Sequence, residues 1–231
     1  MEYRVYAEDP ARKFLPSIGF LKKYREPNVD HPERRVRIDT GVEEGSEISM
    51  YYDPMISKLI TWGKDREDSM RVLDKAFDEY IIQGVTHNIE FGKSILANKD
   101  YWDGNYSTAF IPENYPDGFK GDPLLPEDLT KLIVAAHQVK NVYMSYGKDN
   151  AQQLRAKELY ITIDVPNSEA GPQDYRVTQG SENSFELTHM PSGKSQSVNL
   201  SEFDFSYHSL VSIGLDGQEA NLLKFERACS A

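Results

Sequence analysis

The stretch Arg35-Val-Arg-Ile-Asp-Thr-Gly41 sets three charged side chains among β-branched residues. In an extended strand successive side chains point to opposite faces, so Val36 and Ile38 share one face while Arg35, Arg37 and Asp39 share the other. A guanidinium anchored by buried neighbours is a planar, permanently charged clamp for an anion. The same pattern also describes solvated charges on a half-exposed strand. A second candidate is Tyr51-Tyr-Asp-Pro-Met-Ile-Ser-Lys-Leu-Ile-Thr-Trp-Gly63, where Asp53 precedes a proline and Lys58 sits in an apolar run. A buried or half-buried pair between them would fasten a turn to a strand, which is a structural task. The histidines at 31, 87, 137, 189 and 208 show no metal-ligand spacing, and each reads as a loop or surface residue. There is no Walker or Rossmann glycine loop and no Gly-x-Ser-x-Gly.

The elements that would position these residues follow from periodicity. Short strands separated by Pro and Gly turns are expected around Arg4–Ala7, Ser17–Tyr24, Val36–Val42 and Lys58–Gly63. Asp65 is placed to cap a helix whose Met70, Leu73, Phe77, Tyr80 and Ile81 form one stripe, with Gly84 as the stop. A second helix is expected from Asn88 to about Asn98. The Pro- and Gly-rich Tyr115–Pro126 segment marks a domain boundary near Lys120, giving domains 1–119 and 120–231. Beyond it, Pro126 at a first helical position, followed by Glu127 and Asp128, opens a long helix. Its apolar stripe is Leu129, Leu132, Ile133, Ala136, Val139 and Tyr143. Six short strands follow: 158–165, with Leu159, Ile161, Ile163 and Val165 on one face, then 174–179, 184–190, 195–200, 205–213 and 220–226. The fold class is α+β: a mainly antiparallel sheet with packed helices, followed by a long helix packed in an antiparallel, incomplete β-barrel.

Composition narrows the function classes. The 231 residues carry a net charge of −11, with 37 acidic against 26 basic residues, so counterion release does not favour nucleic acid as a partner. No apolar run approaches the ~18 residues of a membrane span. The single cysteine, Cys229, excludes an internal disulfide framework and reads as an inert thiol.

Six motifs taken together resemble the C-terminal region of biotin carboxylase domains. They are Glu2-Tyr-Arg-Val-Tyr-Ala-Glu-Asp-Pro10, Phe14-Leu-Pro-Ser-Ile-Gly19, the Val36–Gly41 and Tyr51–Gly63 stretches, Tyr80-Ile-Ile-Gln-Gly-Val-Thr-His-Asn88 and Ser107-Thr-Ala-Phe110. Order and spacing match over about the first half of the chain. The helix and strands after Tyr115 are similar, by order and type of element, to the module of propionyl-CoA carboxylase alpha subunits that joins biotin carboxylase to the carboxyltransferase subunit.

The resemblance implies a role in ATP- and Mg- or Mn-dependent carboxylation of biotin by bicarbonate, followed by carboxyl transfer to propionyl-CoA on a beta subunit. It implies that Arg37 is the arginine facing biotin and bicarbonate, which stabilises the biotin anion, and that Phe110 lines the adenine pocket. It further implies that the chain is an internal piece of a longer subunit. The nucleotide lobe and metal ligands would lie upstream of Glu2, so metal roles are not assigned to Glu2 or Glu8. The biotin attachment sequence Ala-Met-Lys-Met does not occur here. The chain alone is therefore expected not to turn over. A mitochondrial matrix location in a eukaryote, or a cytoplasmic one otherwise, is the family expectation. The segment 145–157 is short and polar where the family has a longer hook gripping the beta subunit. Equivalent subunits acting on methylcrotonyl-CoA or acetyl-CoA, and a non-catalytic module that binds the beta subunit, are the alternatives.

Overall fold

The computed structural model describes residues 1–27, 35–121, 125–145, 156–164, 171–181, 183–206, 210–217 and 221–224. The chain divides into two compact units, Met1–Asp122 and Pro123–Ala231.

The first unit contains strands β1 (Glu2–Tyr6), β2 (Glu8–Asp9), β3 (Leu15–Pro16), β4 (Gly19–Phe20), β5 (Lys23–Arg25), β6 (Val36–Thr40), β7 (Glu47–Ile48) and β8 (Met55–Thr61). Helix α1 (Arg66–Glu79), strand β9 (Ile81–Gln83) and helices α2 (Ile89–Ala97), α3 (Lys99–Asp103) and α4 (Phe110–Asn114) follow. Its main sheet is antiparallel in the order β1-β8-β6, with β2-β3, β4-β7 and β5-β9 as two-stranded pieces. Asp65 caps α1 as expected, its side chain accepting the Asp68 N–H at 2.8 Å. The expected stripe, Met70, Leu73, Phe77, Tyr80 and Ile81, is buried. The helix nevertheless ends at Glu79: Tyr80 turns to extended backbone and Ile81–Gln83 pair with Lys23–Arg25. Pairing with β5 and two consecutive isoleucines outweigh the continued helical pattern. The expected single strand over 17–24 is likewise split into β4 and β5, which pair with different partners. Gly84 has φ +104°, and a Cβ there would come within 2.1 Å of the Phe20 carbonyl oxygen. It is therefore a close-approach glycine after β9, not a helix stop.

The second unit holds α5 (Pro126–Ser145) and strands β10 (Glu158–Ile163), β11 (Gln173–Gln179), β12 (Ser184–His189), β13 (Ser195–Ser206), β14 (Leu210–Leu215) and β15 (Asn221–Lys224). These form one six-stranded antiparallel sheet in sequence order, a meander curled against α5. Burial alternates along β10, where Leu159, Ile161 and Ile163 are the less exposed residues. The expected strand over 205–213 is instead the end of β13 and most of β14, with Ser206 opposite Leu210.

The long helix is buried around more of its circumference than one stripe. Ile133 and Val139 are buried as expected, but so are Val134, Ala135, His137 and Asn141, while Tyr143 is exposed. A concave sheet wraps more than one face of a helix, so the count of buried positions exceeds a flat contact. His137, expected at the surface, is 0% exposed and packs edge-on to Phe185 at 5.4 Å. Asn141 ties the helix to the start of β10: its Nδ2 donates to the Ala156 carbonyl (3.2 Å) and its Oδ1 accepts the Ala156 N–H (2.9 Å). Residues 146–155, Val165, His31, His208 and Cys229 lie outside the described residues.

Candidate functional site

Strand register determines which charges meet. Across β1-β8-β6 one row is Glu2, Ile60, Arg37 and the next is Arg4, Lys58, Asp39. Cross-strand partners share a face, so Glu2, Arg4, Lys58, Arg37 and Asp39 lie together on the side opposite Tyr3, Leu59 and Ile38. That face holds three cations and two carboxylates. Arg37 is forked onto Asp39, with Nε 3.2 Å from Oδ1 and Nη2 donating to Oδ2 at 3.3 Å, and its side chain is 70% exposed. Arg4 pairs with Glu2 at 3.0 Å. The presence of Arg4 and Lys58 beside Arg37 was not read from sequence; their alternation was visible, but only the register aligns them.

Arg35 does not join this face. Its Nη1 donates to Asp68 in the first turn of α1 at 2.5 Å, and this guanidinium, with the Lys64 N–H, holds the Asp68 carboxyl below the usual range. The expected Asp53–Lys58 pair is not formed among the described ion pairs. Asp53 is exposed and its Oδ1 accepts the Met55 N–H at 3.0 Å, closing the turn around Pro54, while Lys58 is committed by strand alternation to the row with Arg4. Glu8, partly buried and near Asp53, is pushed above the ordinary carboxylate range by loss of water and then by that neighbouring charge.

Phe110 opens α4, is 7% exposed and lines a mostly apolar cavity of about 280 Å³ together with Tyr3, Leu73, Gly92, Leu96 and Tyr101. A Cβ at Gly92 would lie 2.7 Å from the Tyr3 ring, so glycine here lets the ring lie against α2. The Tyr3 hydroxyl donates to the Asn88 carbonyl at 2.6 Å, and burial pushes this phenol up. Arg37 and Phe110 are thus not brought together. Phe110 shares a cavity with Tyr3, which alternates to the α1 side of β1, while Arg37 lies on the opposite side of the sheet. Among the described residues no three His, Cys, Asp or Glu side chains are grouped to hold a metal ion. None of the described helices is long and apolar enough to cross a membrane.

Comparison with known proteins adds to this geometry. Residues 2–113 match the family model of the biotin carboxylase C-terminal domain. The chain is 47% identical over 167 residues to the mitochondrial propionyl-CoA carboxylase alpha chain of Mus musculus, covering 72% of this chain and 21% of that one. It is 36% identical over 149 residues to the mitochondrial methylcrotonoyl-CoA carboxylase subunit alpha of Dictyostelium discoideum, covering 64% of this chain and 21% of that one. A solved biotin carboxylase domain of the Hydrogenobacter thermophilus 2-oxoglutarate carboxylase shares 34% identity over 49% of this chain and 24% of its own, with a TM-score of 0.46. The chain spans about a fifth of the length of the curated relatives it matches. Over residues 2–113 the chain belongs to the biotin carboxylase C-terminal domain family.

Proposed function

We propose that the chain is part of the alpha subunit of a biotin-dependent acyl-CoA carboxylase, of the type that converts propionyl-CoA to methylmalonyl-CoA using ATP and bicarbonate. The observation that carries this reading is the higher identity of the propionyl-type relative, 47% against 36%, over a match of 167 residues that, like the 149 of the methylcrotonoyl-type relative, is longer than the first unit and so extends into the second. The residues from about 120 onward are the proposed contact with a carboxyltransferase beta subunit. The mitochondrial relatives support a matrix location if the source is eukaryotic.

Within the first unit the proposed roles divide by side of the sheet. The mostly apolar cavity at Phe110 suits a heteroaromatic base, and Phe110 would form one wall for the adenine of ATP. ATP supplies the energy that activates bicarbonate. On the other side, Arg37 would face biotin and bicarbonate. Asp39 takes its Nε and Nη2, which leaves the Nη1 N–H groups to meet an oxyanion. At 70% exposure that cation is screened by water, so its effect depends on the rest of the subunit closing over the β1-β8-β6 face.

The test of function is carboxylation by the full subunit with its beta partner on propionyl-, methylcrotonyl- and acetyl-CoA, with biotin-dependent ATP cleavage followed in parallel. Preference for propionyl-CoA is expected. Absence of any bicarbonate-dependent ATP cleavage in the full subunit would overturn the carboxylase reading, and preference for another acyl-CoA would overturn its propionyl type. For the site, Arg37→Ala is expected to slow biotin carboxylation by about 100-fold with little change in the KM for ATP. Arg4→Ala is the control in the neighbouring row: if it abolishes the rate and Arg37→Ala does not, the anion is met at the other end of the same face.

A further inference from the structure

Phe110 is the first residue of a helix only five residues long, which has little cooperativity of its own to fix a cavity wall. Residues 104–108 before it are exposed and carry no regular structure beyond turns. Two sets of contacts hold the segment. Below the rings, the side-chain carbonyl oxygen of Asn98 accepts the Asp100 N–H (2.8 Å), and Asn98 Nδ2 donates to Asn114 Oδ1 (2.9 Å). Asn114 Nδ2 in turn donates to the Phe110 carbonyl (2.9 Å). Beside Phe110, the Tyr101 and Tyr106 rings stack at 4.9 Å and 23°, and their centroids lie 5.9 and 6.1 Å from that of Phe110.

The stack is clasped from a different element. Arg66, the first residue of α1, donates from Nη2 to the Tyr101 carbonyl at 2.6 Å. Its guanidinium carbon lies 5.0 Å from the Tyr101 centroid and 5.6 Å from that of Tyr106, within cation–π range of both. Tyr101 and Phe110 line the cavity, but Arg66 and Tyr106 do not.

We infer that Arg66 is a positioning residue for nucleotide binding: by clasping the Tyr101–Tyr106 stack it sets the place of the Phe110 wall, and hence the width of the slot that receives the base. This rests on the reading of the Phe110 cavity as the adenine site. A planar guanidinium is suited to the task because it donates in its plane to a carbonyl while its face lies on a ring; an ammonium offers a point charge without the planar contact.

The test uses the full subunit and steady-state kinetics with ATP. Arg66→Ala is expected to raise the KM for ATP by about 5-fold, leaving kcat at saturating ATP and the KM for bicarbonate unchanged. Arg66→Lys should recover only part of the loss. Because Arg66 is argued to act through Phe110, the double variant with Phe110→Ala should bind ATP no worse than Phe110→Ala alone. A purely structural role for Arg66 would lower the melting temperature without moving the KM for ATP, and would overturn the inference. So would effects of the two substitutions that multiply. If Arg66→Ala fails to fold, Tyr106→Leu removes the cation–ring contact from the other side and is held to the same outcome. Should Phe110→Ala itself leave the KM for ATP unchanged, the adenine-site reading falls, and the inference with it. A raised KM in Phe110→Ala with a normal one in Arg66→Ala would overturn the clasp alone.

Discussion

In Met1–Asp122 the described strands form one three-stranded sheet and three two-stranded pieces, whereas in Pro123–Ala231 six strands make one continuous meander. The difference lies in what holds each backbone. A long ladder satisfies its own N–H and C=O groups, so only the alternation of apolar residues is constrained. Short pieces need individual side chains to join them. Asn88 shows this: Nδ2 donates to the Arg4 carbonyl (3.1 Å), Oδ1 accepts the Tyr6 N–H (3.0 Å), and its backbone N–H donates to the Tyr6 carbonyl (3.2 Å), so one residue acts as a neighbour to β1. A unit built this way fixes residue identity at many positions and reads as motifs. The meander fixes only residue type and reads as a pattern.

The largest effect that separates the units is expected from Ile133→Asp. Ile133 is 1% exposed in the core of the second unit, with Val134, Val177 and Leu187 in the same cluster. An unpaired carboxylate there costs about 4 kcal/mol or more, a large share of the stability of an ordinary domain. Limited proteolysis should degrade the second unit and leave a stable product ending near residue 120. Digestion of the whole chain at one rate would mean that the two units do not unfold separately.

Next in size is a pair of glycine substitutions. Gly84 combines φ +104° with a Phe20 carbonyl oxygen only 2.1 Å from where a Cβ would sit, so Gly84→Ala must displace the backbone joining β4 to β5, at about 3 kcal/mol. Gly193 also has positive φ, at +68°, but no described atom lies within 4 Å of its Cβ position, so Gly193→Ala should cost only about 1 kcal/mol of backbone strain. Hydrogen exchange resolved by segment should show the first weakening β4, β5 and β9 and the second scarcely affecting β12 and β13. Equal losses would mean that close approach is not what distinguishes the first unit.

The sequence was legible where a local signal and the tertiary structure agree. Asp65 and the acidic turn after it mark the start of α1, and Pro126 with Glu127 and Asp128 mark the start of α5, because capping chemistry is local. The end of α1 was not legible, since Ile81 continues the helical stripe and only the distant strand Lys23–Arg25 makes it extended. The outer face around Arg37 was half legible: alternation within one strand assigns the side, but meeting Arg4 and Lys58 is a matter of register between strands far apart in sequence. Arg66 carried no signal at all, since one arginine early in a helix looks like any solvated charge until the rings at 101 and 106 are folded against it. His137 failed for a related reason: a single polar residue within an apolar helix reads as the exposed side unless the sheet is known to wrap it.

A smaller loss is expected from Tyr80→Phe. The Tyr80 hydroxyl is 2.7 Å from Ser57 Oγ and 2.6 Å from the Tyr24 hydroxyl, and burial is the main cause that pushes this phenol up. Ser57 is buried, so removing its partner leaves a hydroxyl without that bond, at about 1–2 kcal/mol. Tyr24 keeps its contacts to Thr40 and Glu26. Denaturant unfolding of the first unit should show the loss, with Tyr80→Phe unchanged in secondary structure. No measurable loss would mean that water replaces the hydroxyl, and that the side-chain links of this unit are not individually required.

The smallest and most specific expectation concerns His137. Its ring is fully buried, Nε2 has no hydrogen-bond partner among the described atoms, and Nδ1 is 3.4 Å from Asn141 Nδ2. Burial depresses its pKa below the ordinary value of about 6.5, against a lesser raising influence from the Ala156 backbone. A histidine with a depressed folded pKa binds its proton more readily in the unfolded chain. Its contribution to stability is therefore complete above pH ~6.5 and is lost as pH falls through that value toward the folded one. Hydrogen exchange in α5 and the strands beside it should accelerate between pH 7 and pH 5, after correction for intrinsic rates. His137→Phe should flatten that dependence by removing the proton site while keeping an aromatic ring against Phe185. If the variant and the parent lose protection equally on acidification, the pH dependence of the second unit comes from other groups, and His137 is an ordinary core residue there.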